Sequence, residues 1–152
     1  ITGTRMTQYR PDAEMCPRCR QHPDTLMHAY HDCTVVGPMW EHIHRRLSPS
    51  GMSRPTANEL FSFSYTPRRD KKKPGVYVAI ACALWTAYRT HTMAVVEAKI
   101  VDSPGLIRMW SEQVYAIVDA KRRTSVKMRT AARFARNWQW VIDAVGSSLE
   151  PV

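Results

Sequence analysis

Residues 16–33 read CPRCRQHPDTLMHAYHDC, and the spacing of their soft donors decides what the N-terminal part of this chain can be. Cys16 and Cys19 bracket a two-residue gap, so one tight turn aims two sulfurs at one point. His28 and Cys33 close the set from a short helical turn and its exit. Three thiolates and an imidazole are the donor set of a tetrahedral Cys₃His zinc site. His22 and His31 lie inside the same span and compete with His28 on spacing alone. A redox dithiol is the other chemistry of a Cys-Pro-Xaa-Cys run, but it should follow a buried strand and open a helix. Residues 9–15, YRPDAEM, are polar and broken by proline, so that strand is absent from the pattern. A disulfide framework fails on count: four cysteines serve 152 residues, and Cys82 sits inside an apolar helical run. The expected cofactor is therefore Zn²⁺, held by Cys16, Cys19, His28 and Cys33.

The same residues carry a family resemblance. Cys16-Pro17-Arg18-Cys19, then Asp24-Thr25-Leu26-Met27-His28, Asp32-Cys33 and Trp40 resemble the zinc-binding region at the C-terminal end of non-LTR (LINE-type) retrotransposon reverse transcriptases. That family shows Cys-Pro-x-Cys, a short acidic segment, Thr-Leu-x-His, four residues, Cys, and a helix bearing a Trp. The likeness covers residues 12–47. A weaker echo, Ala83-Leu84-Trp85-Thr86-Ala87-Tyr88-Arg89, is similar to the apolar-Trp-apolar-Arg helix that often follows there. Met27 departs from the acidic residue common at its position, which is not a metal ligand. The resemblance implies a segment that holds template RNA or target DNA during target-primed reverse transcription, with the polymerase and endonuclease parts upstream in a larger polypeptide. Ile1 in place of an initiator Met fits such a fragment.

Charge gives an independent reading. The net charge is +9, yet residues 1–63 balance to +1, residues 75–120 to −1 and the tail after 136 to −2. Residues 64–74 carry +4, and residues 121–136 carry +7 with no acid among them. A generally basic surface spreads its charge; two concentrated segments are how phosphate-binding surfaces are built. The bland alternative is two solvated Lys/Arg-rich faces. Apolar content of 44% marks a globular chain. The knuckle thiols fit a reducing compartment, so the expected location is intracellular and nuclear. No apolar run reaches the length of a membrane span.

In chain order, the expected parts are 1–48, the knuckle and its following helix; 49–74, a linker with a short helix and a basic loop; and 75–152, a helical bundle with a basic C-terminal helix. The predicted fold is all-α, a small bundle of four to five helices with the zinc knuckle at its N-terminal end. Pro38 starts a helix that places Met39, Trp40, Ile43 and Leu47 on one face, with Trp40 pinning the knuckle and His42 and His44 at the surface. Thr56-Ala57-Asn58-Glu59 has the form of a capping box. From Gly75 to about Lys99 the chain is apolar almost all round, the pattern of a central helix, with Cys82 as a small core residue. Ser103-Pro104 caps the next helix, which carries Leu106, Ile107, Trp110, Val114, Ile117 and Val118 and ends at Lys121-Arg122-Arg123. Thr124 or Ser125 caps the last helix, which runs to Val145.

On that last helix Phe134, Trp138, Val141 and Val145 share a narrow arc. Arg129, Arg133, Arg136 and Trp140 fall within about 60° on the other side at about 100° per residue. Arginines in line can track a phosphate backbone while the ring stacks on a base. The candidate nucleic-acid contacts are thus Arg68, Arg69, Lys71, Lys72 and Lys73 in the loop, and Lys121, Arg122, Arg123, Lys127, Arg129, Arg133 and Arg136, with Trp140 as stacker. The alternative is that Trp140 packs on a neighbouring domain. A phosphate-binding Gly-rich loop, a Tyr-x-Asp-Asp polymerase signature and a carboxylate cluster are all missing, and four protein ligands leave a zinc ion no site for a catalytic water. The expectation is a non-enzymatic nucleic-acid-binding module with no small-molecule substrate and no membrane partner; the runner-up is a protein-interaction module.

Overall fold

The computed structural model describes residues 14–50, 53–62 and 74–146. The expected basic loop of Arg68, Arg69, Lys71, Lys72 and Lys73 lies outside those residues. Among the described residues the chain is all-α. A π-helical turn at His28–Asp32 is followed by α1 (Gly37–Leu47), α2 (Ala57–Phe61), α3 (Pro74–Val96) and α4 (Ser103–Lys127). The final helix is split into α5 (Ala131–Phe134), a π-turn (Ala135–Gln139) and α6 (Trp140–Gly146). No described helix is long and apolar enough to cross a membrane.

α1 forms where the pattern places it. Pro38 sits in its first turn, His44, Arg45 and Arg46 in its last, and Met39, Trp40, Ile43 and Leu47 are buried together. The Trp40 indole N–H donates to the Tyr30 carbonyl at 2.9 Å, which ties the helix to the knuckle. His42 is half-buried rather than on the surface: its ring meets Trp110 edge-on at 6.0 Å. Burial, with Arg46 and Arg45 nearby, pushes its pKa below the usual histidine value. α2 is started by the complete capping box, with the Thr56 side chain on the Glu59 N–H and the Glu59 side chain on the Thr56 N–H.

α3 and α4 pack against each other as the long pair of the bundle, and the Trp110 indole donates to the Ala79 carbonyl at 2.9 Å inside their interface. α3 is not buried all round. Val76, Ala79, Ile80, Ala83 and Ala87 face the core, while Tyr77, Ala81, Trp85 and Tyr88 are exposed along its other side. At its first turn α6 comes so close that a β-carbon on Gly75 would collide with Val141 and press on the Trp140 ring. Glycine is required there by proximity.

Three boundaries differ from the expected ones. Asp102, not Ser103, caps α4, its carboxylate accepting from the Gly105 N–H at 2.9 Å; the Ser103 hydroxyl instead donates to the Val35 carbonyl of the knuckle. α4 does not stop at Lys121 but continues to Lys127. Thr124 and Ser125, expected as caps, lie inside it and return their hydroxyls to the Ala120 and Arg122 carbonyls. The chain turns at Met128–Thr130, where Arg129 takes a left-handed φ of 55°. A π-turn holds one residue more than an α-turn, so the side chains after it are rotated out of register.

Candidate metal centre and basic segment

An antiparallel bridge between Met15 and Pro23 frames the first turn of the knuckle. Within it the Cys16 N–H reaches the His22 carbonyl, and the Arg20 N–H the Cys16 carbonyl, each at 2.8 Å. The loop so closed points Cys16 and Cys19 inward, and the π-turn brings His28 and then Cys33 onto the same spot. The four donor atoms lie within 4.8 Å of one another. Cys16 Sγ and Cys33 Sγ are 3.9 Å apart, and Cys19 Sγ is 3.2 Å from His28 Nε2. A tetrahedral ion with metal–sulfur bonds of about 2.3 Å spaces its sulfurs about 3.8 Å apart, so the cage fits one. It does not fit a disulfide, whose sulfurs are about 2 Å apart.

The structure also decides among the histidines. His31 is engaged elsewhere, with Nδ1 on Asp32 at 2.7 Å and Nε2 on the Pro55 carbonyl at 3.2 Å. His22 is exposed and lies beside the His28 ring, with centroids 5.2 Å apart. His28 alone of the three joins the sulfurs. Cys16 and Cys33 share a proton: the Cys33 thiol, then the N–H groups of Cys19 and Arg18 and the Arg18 charge, hold the Cys16 thiol well below its ordinary range, while that sharing and burial push Cys33 up. One sulfur of the pair, Cys16, is thus favoured as thiolate, the form that binds metal. Cys82 takes no part; burial raises its thiol to about 11, as befits a core residue.

What the sequence reading missed is how the knuckle is fastened. Arg18, between the first two cysteines, is 5% exposed. Its guanidinium donates to the Ala87 carbonyl and the Thr90 hydroxyl of α3, each at 3.2 Å, and to the Ala29 carbonyl of the π-turn. One turn further along α3, His91 Nε2 meets both oxygens of Asp24 at 2.8 and 3.0 Å, with both side chains buried. The available signal was a lone histidine in an apolar helix and a carboxylate inside the cysteine span.

The basic segment is arranged differently from its expected single row. Lys121, Arg122, Arg123 and Lys127 are exposed on α4, Arg129 on the turn, Arg133 on α5 and Arg136 on the π-turn. Arg122 and Arg123 clasp Asp119 at 2.7 and 2.9 Å, and Arg122 in particular holds that carboxyl below its ordinary pKa. Trp140 does not extend the arginine row as a free stacker. It is half-buried, packed on the core beside Gly75, with its indole donating to the Asn137 carbonyl. The Trp that stands out is Trp85, 54% exposed and 5.4 Å from the Tyr88 ring. No family model, no curated protein and no solved structure matches this chain.

Proposed function

We propose that the chain is a non-catalytic, zinc-stabilised module that binds nucleic acid, as a segment of a larger polypeptide in the manner of the retrotransposon reverse transcriptases it resembles. In that role it holds template RNA or target DNA while the chemistry proceeds in other parts. Zinc is the ion favoured by three sulfurs and one imidazole in a closed tetrahedron. Three thiolates, a neutral imidazole and Zn²⁺ sum to a charge of −1, and the buried Arg18 guanidinium beside them is its counter-charge. The observation that carries the nucleic-acid reading is the segment 121–136: seven cations, no acid, and every one of the seven exposed. Such a concentration of exposed positive charge supports phosphate contact.

The test is fluorescence anisotropy on a labelled single strand and a duplex at several salt concentrations, with zinc measured by elemental analysis. The expected result is one equivalent of zinc and an affinity that falls steeply with salt. The Arg129→Gln/Arg133→Gln/Arg136→Gln variant should bind more weakly and show a log–log slope shallower by roughly 0.9 per lost contact on duplex or 0.7 on single strand. One observation favours the protein-interaction reading. An apolar groove of about 420 Å³ runs between α3 and α4, lined by Val78, Ala81, Trp85, Ala116 and Ile117. Salt-independent capture of a protein partner, with no strand binding, would make that reading the better one.

A further inference from the structure

The fold-back after α4 creates a small pocket that the linear pattern does not show. Lys121 on α4 and Arg133 on α5 stand over it, Thr130 and Asn137 supply polar walls, and Phe134 and Trp138 make an apolar floor. The turn at Arg129 reverses the chain and brings Arg133 back beside Lys121. No acidic residue lines the pocket. Arg122 and Arg123, on the same helix, share the one carboxylate of Asp119, whereas Lys121 and Arg133 have no ion-pair partner among the described residues. The cavity measures about 70 Å³. A water needs roughly 10–15 Å³, so the pocket has room for a small group of a few heavy atoms.

Two cations from different elements, one a planar fork and one a point charge, converging on a cavity of that size with a carboxamide at its wall, are the donors a tetrahedral oxyanion takes. We propose that this pocket seats one phosphate group of a nucleic-acid backbone, with Lys121 and Arg133 gripping the same phosphate. The inference rests on the nucleic-acid reading above and adds to it the place and the pairing. Strand binding elsewhere on the basic surface would leave that reading standing without this pocket.

A double-mutant cycle on the full chain separates these cases. Lys121→Gln, Arg133→Gln and the double variant are compared with Arg122→Gln, Arg123→Gln and their double, which remove equal charge outside the pocket. The probes are a labelled single strand, the same strand as a duplex, and inorganic phosphate as competitor; circular dichroism melting confirms that the exposed substitutions leave the fold intact. If both cations hold one phosphate, each single variant loses about tenfold, the double loses little more, and its salt slope is shallower by one contact, roughly 0.9 on duplex or 0.7 on single strand. Lys121→Arg and Arg133→Lys should recover most of the affinity. Equal losses in the two pairs, or additive losses with a slope change of two contacts, would overturn the shared seat and keep the nucleic-acid reading. A wild-type chain that binds neither strand at any salt would overturn both. Displacement of the strand by millimolar inorganic phosphate from the wild type but not from the double variant is the further result expected.

Discussion

Arg18 is where the metal site and the bundle meet, and its removal tests how the knuckle is held. Arg18→Met keeps most of the side chain's volume and deletes the charge and the donors to Ala87, Thr90 and Ala29. Three hydrogen bonds from a charged donor are worth roughly 1.5–3 kcal/mol each. Against that stands the cost of burying a guanidinium, several kcal/mol, and its Nε is left without a partner among the described residues. The balance is a loss of about 2–4 kcal/mol. For a chain of this size each kcal/mol moves the melting temperature by roughly 2–4 °C, so the expected drop is about 4–16 °C. Arg108→Met, at an exposed site on α4, should stay within about 0.5 kcal/mol. The assay is thermal unfolding followed by circular dichroism, with and without a chelator. On the proposal that metal holds the knuckle together, the difference between Arg18→Met and wild type should vanish once the metal is stripped. An unchanged or raised melting temperature in the metal-loaded variant would refute the reasoning, showing that desolvation of the guanidinium outweighs its bonds.

Other outcomes follow from the same contacts. His28→Ala should lose the metal equivalent while His22→Ala and His31→Ala retain it, as elemental analysis after gel filtration would show. Asp24→Ala leaves the buried His91 ring without its hydrogen-bond partner and should cost about 1–3 kcal/mol, read as a lower urea midpoint. Trp140→Ala should cost about 2 kcal/mol, part of the penalty for truncating a fully buried ring, whereas Trp85→Ala should stay within about 0.5 kcal/mol; scanning calorimetry that reversed this order would restore Trp140 as an exposed stacker. His28→Cys keeps four soft ligands, so it should keep zinc and bind a labelled strand within about twofold of wild type.

Where residues a few positions apart decide a structure, the sequence could be read. The cluster of Cys16, Cys19, His28 and Cys33, the 39-40-43-47 stripe of α1 and the Thr56–Glu59 capping box are local, and each is found as expected. The end of α4 was not legible, because cations at 121–123 resemble a helix terminus and the real turn uses Arg129 in a conformation where glycine is the usual marker. Counting at a fixed helical period also hides the π-turn, and with it the half-burial of Trp140. The fastening of the knuckle was out of reach for another reason: Arg18 and Asp24 find their partners on α3 some 67 to 72 residues away, and no local pattern records such a pairing.

The placement of the four candidate ligands bears on what a metal would do here. Cys16 and Cys33 are fully buried and His28 nearly so, in one continuous core with Trp40, Val76 and Trp110. The knuckle meets the start of α4, where Ser103 bonds to Val35, while the basic pocket lies at Lys121. Eighteen residues of α-helix at about 1.5 Å each put Ser103 and Lys121 roughly 27 Å apart. An ion in that cage is too far from the pocket, and too deep, to share a phosphate with it. Its influence on the basic surface has to pass through packing: Arg18 and Asp24 fix the later turns of α3, α3 is packed along α4, and α4 carries Lys121 toward Arg133. Metal and strand are then coupled only through the fold, so a substitution that exchanges a ligand but keeps the ion leaves strand affinity in place, and one that expels the ion lowers affinity to the extent that α3 and α4 come apart.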